Sequence, residues 1–301
     1  MPNRIKLHVY PHAIPQDGGT PLFANVLPLS PTGIAKWCDL VEPDEAKYFY
    51  GGQFHDKNSE LLVPERFEHL KGNERRHIFD VEGDWDDKDI PGWLSECVIT
   101  ARNALVGKHS TWAVYPTPGC SMLMLKILAS DVKLLPPQKH GFQFRGQLDS
   151  RGTRLMLEDA LRMADVPHSY EILGHWNLMG EGENEAFVSR MAEWSMALCP
   201  RAWGHFTMRF YEACALGRYP IVIGDNLWLD NDKAVRWTIS PWGLTTRRLA
   251  KELWEIAAQM NLADYAILGA RAKKYFDICV RPYYADPTAA FLTWLEGRQC
   301  V

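Results

Sequence analysis

The sequence predicts an α/β protein that folds as two domains, each built on a parallel β-sheet. Short apolar runs rich in β-branched residues alternate with longer amphipathic segments along the chain. This alternation is typical of parallel strands joined by right-handed helical crossovers. The chain has 301 residues, which suits two domains of about 150 residues each. We place the boundary at Pro136-Pro137, giving domains at 1–135 and 136–280 and a terminal helix within 281–301 that packs back towards the first domain.

Each predicted element rests on periodicity and on the glycines and prolines that end it. In the first domain we predict strands at 5–10, 46–50, 76–81, 97–100 and 111–115, and helices at 34–40 and 59–71. In the rest of the chain we predict strands at 141–145, 169–173, 194–198, 219–223 and 235–239, and helices at 153–163, 185–192, 208–216, 245–259, 262–275 and 287–295.

Composition excludes several classes of protein. The net charge of −4 gives no basic excess for binding nucleic acid. The seven cysteines have no metal-binding spacing, so we expect reduced thiols. No apolar run reaches the ~20 residues of a membrane span, and the start lacks the apolar core of a signal peptide. We therefore expect a cytoplasmic or otherwise soluble protein. Walker A, GxGxxG, GxSxG and HExxH motifs are also absent from the sequence.

The stretch 199–226 reads as loop, helix, turn and buried strand. Thr207 is a candidate N-cap and Gly217 a candidate C-terminal glycine of the helix. Arg201 precedes that helix, and Arg209 and Glu212 share one of its faces. A helix N-terminus beside arginines attracts phosphate, and a carboxylate one turn further can accept hydrogen bonds from a ribose diol. The alternative is an ordinary surface ion pair on a structural helix.

A second group of arginines surrounds the start of the helix predicted at 153–163. Arg145, Arg151 and Arg154 lie at this strand-to-helix turn. Cations oppose the helix dipole at an N-terminus, so their placement makes a ligand such as pyrophosphate as good an explanation as a solvated helix start, and both stay open.

Polar residues also follow the predicted strands of the first domain, where parallel sheets carry their sites. Candidates for a general base are His12, His55, Asp56, Glu82 and Asp84. Two D-x-D patterns, at 84–86 and 230–232, keep a divalent-cation site open as an alternative.

Three blocks of sequence match the motifs of one family. The first block comprises Cys199-Pro-Arg201, Thr207-x-Arg209-Phe-x-Glu212-Ala213 and Pro220-Ile-Val-Ile. The second comprises Phe144-Arg-Gly146 and Gly152-Thr-Arg154-Leu-x-Leu157. The third comprises Asn73-x-x-x-His77-Ile-Phe79 and Gly83-x-Trp85. In this order and spacing they resemble the exostosin family, glycosyltransferase family 47. Unlike the usual eukaryotic members, the sequence has no apparent membrane anchor or stem.

The resemblance implies a GT-B fold, with two Rossmann-like domains facing each other across a cleft. It implies an inverting glycosyltransferase that needs no metal or other cofactor and uses a UDP-sugar donor. Arg154, Arg201 and Arg209 would face the diphosphate, Thr207 would donate a hydrogen bond to it, and Glu212 would hold the ribose. A glycan acceptor would bind on loops of the first domain.

The catalytic base and the details of the reaction stay open. Asp84 and Glu82 flank the matching Gly83, and we slightly prefer Asp84. The donor sugar is open among xylose, galactose, glucuronate and others, and a homo-oligomer is also open. The alternatives are a metal-dependent D-x-D glycosyltransferase and an inactive subunit of the same fold that binds glycan or a partner.

Overall fold

The computed structural model describes residues 4–13, 29–54, 63–81, 91–101, 113–116, 135–147, 153–173, 181–201, 207–224 and 235–298. The chain divides into two compact units. The first comprises Met1–Cys120 and Arg281–Val301, and the second comprises Ser121–Val280. The division therefore falls before the Pro136-Pro137 pair, and the C-terminal segment belongs to the first unit.

The described strands and helices are numbered in chain order. The strands are β1 (Ile5–Val9), β2 (Cys38–Leu40), β3 (Tyr48–Phe54), β4 (His77–Val81), β5 (Val98–Ala101), β6 (Ala113–Pro116), β7 (Lys139–Gln147), β8 (His168–Leu173), β9 (Trp194–Pro200), β10 (Tyr219–Ile223) and β11 (Trp237–Ile239). The helices are α1 (Pro31–Trp37), α2 (Thr153–Ala164), α3 (Glu181–Glu193), α4 (Met208–Ala215), α5 (Thr246–Gln259), α6 (Leu262–Tyr275), α7 (Arg281–Ala285) and α8 (Pro287–Arg298).

The described strands of the first unit form a parallel sheet in the order β2-β1-β3-β4-β5-β6. Every residue of β4 is buried, as expected for a strand covered on both faces. The C-terminal helices pack on this unit: the Trp37 indole Nε1 donates to Asp286 at 2.9 Å, and the Tyr115 ring lies 5.0 Å from that of Trp294.

Three predictions for the first unit are wrong. The helix predicted at 34–40 ends at Trp37, and its last residues form β2 because they pair with β1. The strand predicted at 46–50 continues to Phe54, because Gly52 has a φ of +111° and forms a bulge that keeps the strand paired with β4. In the region predicted as a helix at 59–71, the described part contains only a short 3₁₀ turn at Pro64–Arg66, consistent with a proline at its first position.

The described strands of the second unit form a parallel sheet in the order β11-β10-β9-β7-β8. Together the two sheets confirm the predicted α/β class. After β7 the chain adds β8 on one side of that strand and then β9 on the other. The order therefore reverses between β7 and β9, and such a reversal leaves a crevice at the carboxyl ends of the two strands.

The helices of the second unit cover this sheet and are anchored by local signals. Leu157 and Leu161 of α2 and Leu249 and Leu253 of α5 are fully buried in one apolar core with the sheet. The turn after α4 places Gly217 at a φ of +65°, which confirms the predicted C-terminal glycine.

Helix α6 passes very close to this turn because it carries a glycine at the point of contact. A Cβ built on Gly269 would lie 2.2 Å from the carbonyl oxygen of Gly217. Backbone atoms cannot move aside easily, so no larger residue fits at this position.

We predict opposite effects for two alanine substitutions in helices. Gly269→Ala should destabilise the protein by about 1–3 kcal/mol because of this clash. Gly297→Ala should be neutral or stabilising by up to about 1 kcal/mol, because nothing lies within 4 Å of a Cβ at Gly297 in α8. Urea unfolding of both variants measures the two effects. Equal stabilities would contradict the close helix–turn packing.

Candidate functional site

The candidate site lies at the carboxyl ends of β7 and β9, where the strand order of the second unit reverses. The two strands pair directly, with Phe142 opposite Met196 and Gln143 opposite Ala197. Arg201 follows β9 immediately, and its backbone N–H donates to the Ile223 carbonyl at 2.9 Å. Helix α2 follows β7 in the chain, and helix α4 follows β9. The N-termini of both helices therefore lie at the same edge of the sheet.

Arg209, in the first turn of α4, lies against two phenyl rings. Its guanidinium carbon is 4.7 Å from the ring centroid of Phe144 in β7 and 4.9 Å from that of Phe187 in α3. These distances are typical of cation–π contacts. Its Nη1 atom is buried and makes no hydrogen bond with the part of the chain that the structure describes.

Burial lowers the pKa of the Arg209 guanidinium to about 10, with Glu212 acting in the opposite direction and Arg154 and Arg145 adding to the fall. The side chain is still a cation at neutral pH. A buried N–H donor without a partner loses the hydrogen bond that water would provide, so this atom is suited to receive an anion.

Arg154 shares the Phe144 ring with Arg209. Its guanidinium carbon lies 5.8 Å from the Phe144 centroid, and its backbone carbonyl accepts a hydrogen bond of 2.6 Å from the Tyr170 hydroxyl. The Tyr170 ring in turn stacks on Phe144 at a centroid distance of 5.4 Å. One buried phenylalanine thus supports two arginines from two different helices.

Arg145 has a different environment. It lies directly opposite Glu171 across the β7–β8 pair, its Nε is 3.2 Å from the Glu171 carboxylate, and the same carboxylate pairs with Arg190. The structure therefore gives Arg145 an acidic neighbour on the adjacent strand. Arg151, which the sequence grouped with it, lies outside the described residues.

Thr207 and Glu212 flank Arg209 on α4. Thr207 is the N-cap residue, as predicted, and its hydroxyl makes no capping hydrogen bond. Glu212 is only 5% exposed and interacts electrostatically with Arg209. The alternative prediction, an ordinary ion pair on the protein surface, is therefore wrong for Glu212, because its carboxylate is buried.

Two glycines allow the backbone to pass close to the arginines. A Cβ at Gly146 would lie 3.0 Å from Phe144 Cζ and 3.3 Å from Arg209 Nη2. Gly224 has a φ of +158°, and a Cβ there would lie 3.0 Å from Arg201 Cβ. A glycine at the end of each strand was an available signal for these close approaches, whereas no signal in the sequence pointed to Phe187.

The general base predicted in the first unit falls on residues that the structure does not describe. Glu82 and Asp84 lie outside the described residues, as do His55, Asp56 and both D-x-D patterns. Within the described ranges, no group of three or more His, Cys, Asp or Glu side chains is arranged to hold a metal ion. Every helix in those ranges is too short or too polar to span a membrane.

The first unit buries a carboxylate, that of Asp80, which was not among the candidates predicted from the sequence. Asp80 of β4 is fully buried and accepts hydrogen bonds from the Tyr50 hydroxyl at 2.7 Å and from the Thr100 hydroxyl. These contacts connect three adjacent strands. Of the predicted candidates, His12 is described, and it lies exposed on the 3₁₀ turn at Pro11–Ala13.

His77, at the start of β4, is held as a neutral imidazole. Its Nδ1 donates to the Asn73 carbonyl at 2.9 Å, so its Nε2 is the acceptor for the Tyr10 hydroxyl at 3.0 Å. The Tyr10 oxygen accepts in turn from the His69 backbone N–H. Burial lowers the pKa of His77 to about 4.

Comparison with known proteins leaves the family open. No family model matches the chain, and no curated protein matches it. Similar solved structures include an α1,3-fucosyltransferase (12% identity over 88% of this chain and 82% of that one, TM-score 0.39). AviGT4, a glycosyltransferase involved in avilamycin A biosynthesis, has 10% identity over 95% of this chain and 98% of that one, with a TM-score of 0.38. The spinosyn forosaminyltransferase SpnP has 13% identity over 71% of this chain and 54% of that one, with a TM-score of 0.35.

Identities and TM-scores this low assign neither a family nor an activity to the chain. The resemblance to the exostosin family stays a prediction, and the residues of the candidate site have to be interpreted from their own geometry.

We predict that His77 makes folding stability depend on pH. Its folded pKa of about 4 lies below the ordinary value of 6.5, so between these values the unfolded chain binds more protons. Stability should therefore be lost as the pH falls from 6.5 to 4, by up to about 1.4 kcal/mol per pH unit. Urea unfolding at several pH values should show a steeper loss for the wild type than for His77→Gln. Parallel profiles would contradict the buried neutral imidazole.

Proposed function

We propose that the second unit binds the diphosphate of a nucleotide sugar and that the protein is an inverting, metal-independent glycosyltransferase. It would move a sugar from a UDP-sugar, with xylose, galactose or glucuronate as candidate sugars, to a hydroxyl of a glycan acceptor. The observation that carries this proposal is the buried Arg209 guanidinium at the start of a helix where the strand order reverses. Its Nη1 has no hydrogen-bond partner among the described residues.

The geometry favours a phosphorylated ligand over a neutral one. A helix N-terminus presents backbone N–H groups to an anion, and the N-cap hydroxyl of Thr207 makes no capping hydrogen bond. Arg154 and Arg209 share one aromatic ring, and Arg201 leaves the neighbouring strand. One guanidinium can donate two parallel hydrogen bonds to the oxygens of a phosphate. Several arginines beside a helix N-terminus therefore suit a diphosphate.

The proposed reaction uses the same residues to stabilise the leaving group. When the bond between the sugar and the diphosphate breaks, negative charge grows on UDP, and Arg154, Arg201 and Arg209 would stabilise it electrostatically. Glu212 would accept hydrogen bonds from the ribose diol. Asp84, or Glu82 in its place, would remove the proton from the acceptor hydroxyl as general base.

Two matched substitutions separate the ribose contact from the phosphate contacts. Glu212→Gln should weaken binding of uridine and UDP by about 10- to 100-fold, because a hydrogen bond to a charged group is lost. It should not weaken pyrophosphate binding, because the substitution removes a negative charge that acts on Arg209. Arg209→Lys should weaken UDP and pyrophosphate but not uridine, because a lysine cannot reproduce the planar donor pair. Isothermal titration calorimetry with the three ligands measures all the affinities.

The control for the arginine substitution is Arg162→Lys, since the Arg162 side chain is 70% exposed and pairs with Glu158 on α2. It should change no affinity. A wild-type protein that binds none of the three ligands, or variants that lose all ligands equally, would contradict the assigned roles.

Turnover is tested with a panel of UDP-sugars and glycan acceptors, by measuring UDP release with and without EDTA. We expect activity that EDTA does not change, and an Asp84→Asn variant with kcat about 10²–10⁴ lower at unchanged UDP affinity. Loss of activity in EDTA would favour a metal-dependent D-x-D enzyme. UDP binding without any turnover would favour a non-catalytic glycan-binding subunit.

A further inference from the structure

The arginine with the unpartnered donor is held by aromatic rings from two other elements. Phe144 in β7 is 1% exposed and Phe187 in α3 is 2% exposed, and both lie within 4.9 Å of the Arg209 guanidinium carbon. Strand β7 and helices α3 and α4 therefore meet at one side chain. We refer to Phe144, Phe187 and Arg209 as the arginine clamp.

The chemistry of the clamp determines which Arg209 atoms are left for a ligand. All five N–H groups of a guanidinium point outwards in its own plane. Aromatic rings attract the cation through their π faces and accept none of these in-plane hydrogen bonds. The rings thus restrict where the side chain lies without using its donors, and Nη1 is left buried and unpartnered.

Neighbouring residues fix the clamp in turn. Tyr170 stacks on Phe144 with an interplanar angle of 22°. At Gly146 even a methyl group would press on both Phe144 Cζ and Arg209 Nη2. The side chain is therefore confined before any ligand arrives, which reduces the conformational entropy lost on binding.

We propose that Phe144 and Phe187 are positioning residues that hold the Arg209 guanidinium for a pyrophosphate group, so that these two rings set the affinity of the site for diphosphates. This inference rests on the proposed function for the identity of the ligand. It adds two apolar residues, which have no polar atoms of their own to offer a phosphate, to the determinants of phosphate binding.

The test measures the affinities of inorganic pyrophosphate, UDP and uridine for Phe187→Leu and Phe144→Leu. Each variant keeps an apolar side chain but loses the ring face. Pyrophosphate and UDP affinity should fall by about 5- to 30-fold, while uridine affinity stays unchanged. Phe187→Tyr, which keeps the ring face, should restore most of the pyrophosphate affinity.

Phe142→Leu is the matched control. Phe142 lies in the same strand, is fully buried in the core of the unit, and belongs to the same residue type. It should lower the melting temperature without changing pyrophosphate affinity. A merely structural role for the clamp predicts that Phe187→Leu and Phe144→Leu behave in the same way as this control, and that result would overturn the inference.

The two proposals fail in different ways. A wild-type protein that binds pyrophosphate but not UDP would contradict the UDP-sugar reaction, and the clamp would still be tested by the pyrophosphate affinities of the variants. A protein that binds UDP with an affinity insensitive to both leucine substitutions would contradict the clamp alone. Binding of neither ligand would contradict both.

Discussion

The parallel pairing of β7 with β9 is the contact on which the candidate site depends. These strands are neighbours in the sheet although α2, β8 and α3 separate them in the chain. Their pairing brings the helices that follow them, α2 and α4, to one edge of the sheet, and so allows Arg154 and Arg209 to share the Phe144 ring. Side chains alternate between the faces of a strand, so a slip of one residue would move Phe144 to the opposite face and separate the ring from both arginines.

The same arrangement has a structural cost that the surrounding core has to offset. Burial of cations is unfavourable, and the pKa of Arg209 falls for that reason. Cations at the start of a helix also oppose its dipole. The neighbouring elements supply well-packed apolar residues such as Phe142, Leu157 and Leu198, all fully buried. Arginines in unfavourable positions within an otherwise well-packed unit are expected where the sequence is constrained by ligand binding as well as by folding.

The sequence was sufficient to predict elements whose signals are local. The alternation of strands and helices, the N-cap at Thr207 and the glycine at Gly217 were all predicted and confirmed, because each depends on a few adjacent residues. The first unit was predicted less well. Gly51-Gly52 had the composition of a turn, and only its pairing with β4 shows that the strand continues through a bulge.

Contacts between residues that are distant in the chain could not be predicted from local sequence patterns. Arg209 and Glu212 stood out because they are three residues apart on one helix, but Phe187 contacts Arg209 only because the fold brings two helices to the same side chain. Glu171 is likewise paired with Arg145 by the register of two strands. Charge and spacing along the chain therefore indicated which residue types were present, and the sheet order determined which of them meet.

The contrast between Arg145 and Arg209 shows why sheet order matters for the chemistry. Both arginines attracted attention in the sequence for the same reason, their charge near a strand-to-helix turn. A carboxylate on the neighbouring strand forms an ion pair with Arg145 at 3.2 Å, and such a pair neutralises the charge of a guanidinium. Phenyl rings lie against Arg209, and a ring attracts the cation but leaves its in-plane donors in place, while Glu212 on the same helix acts electrostatically on its charge. A residue buried against aromatic rings keeps the capacity to bind an anion, whereas one buried against a carboxylate has already used part of it.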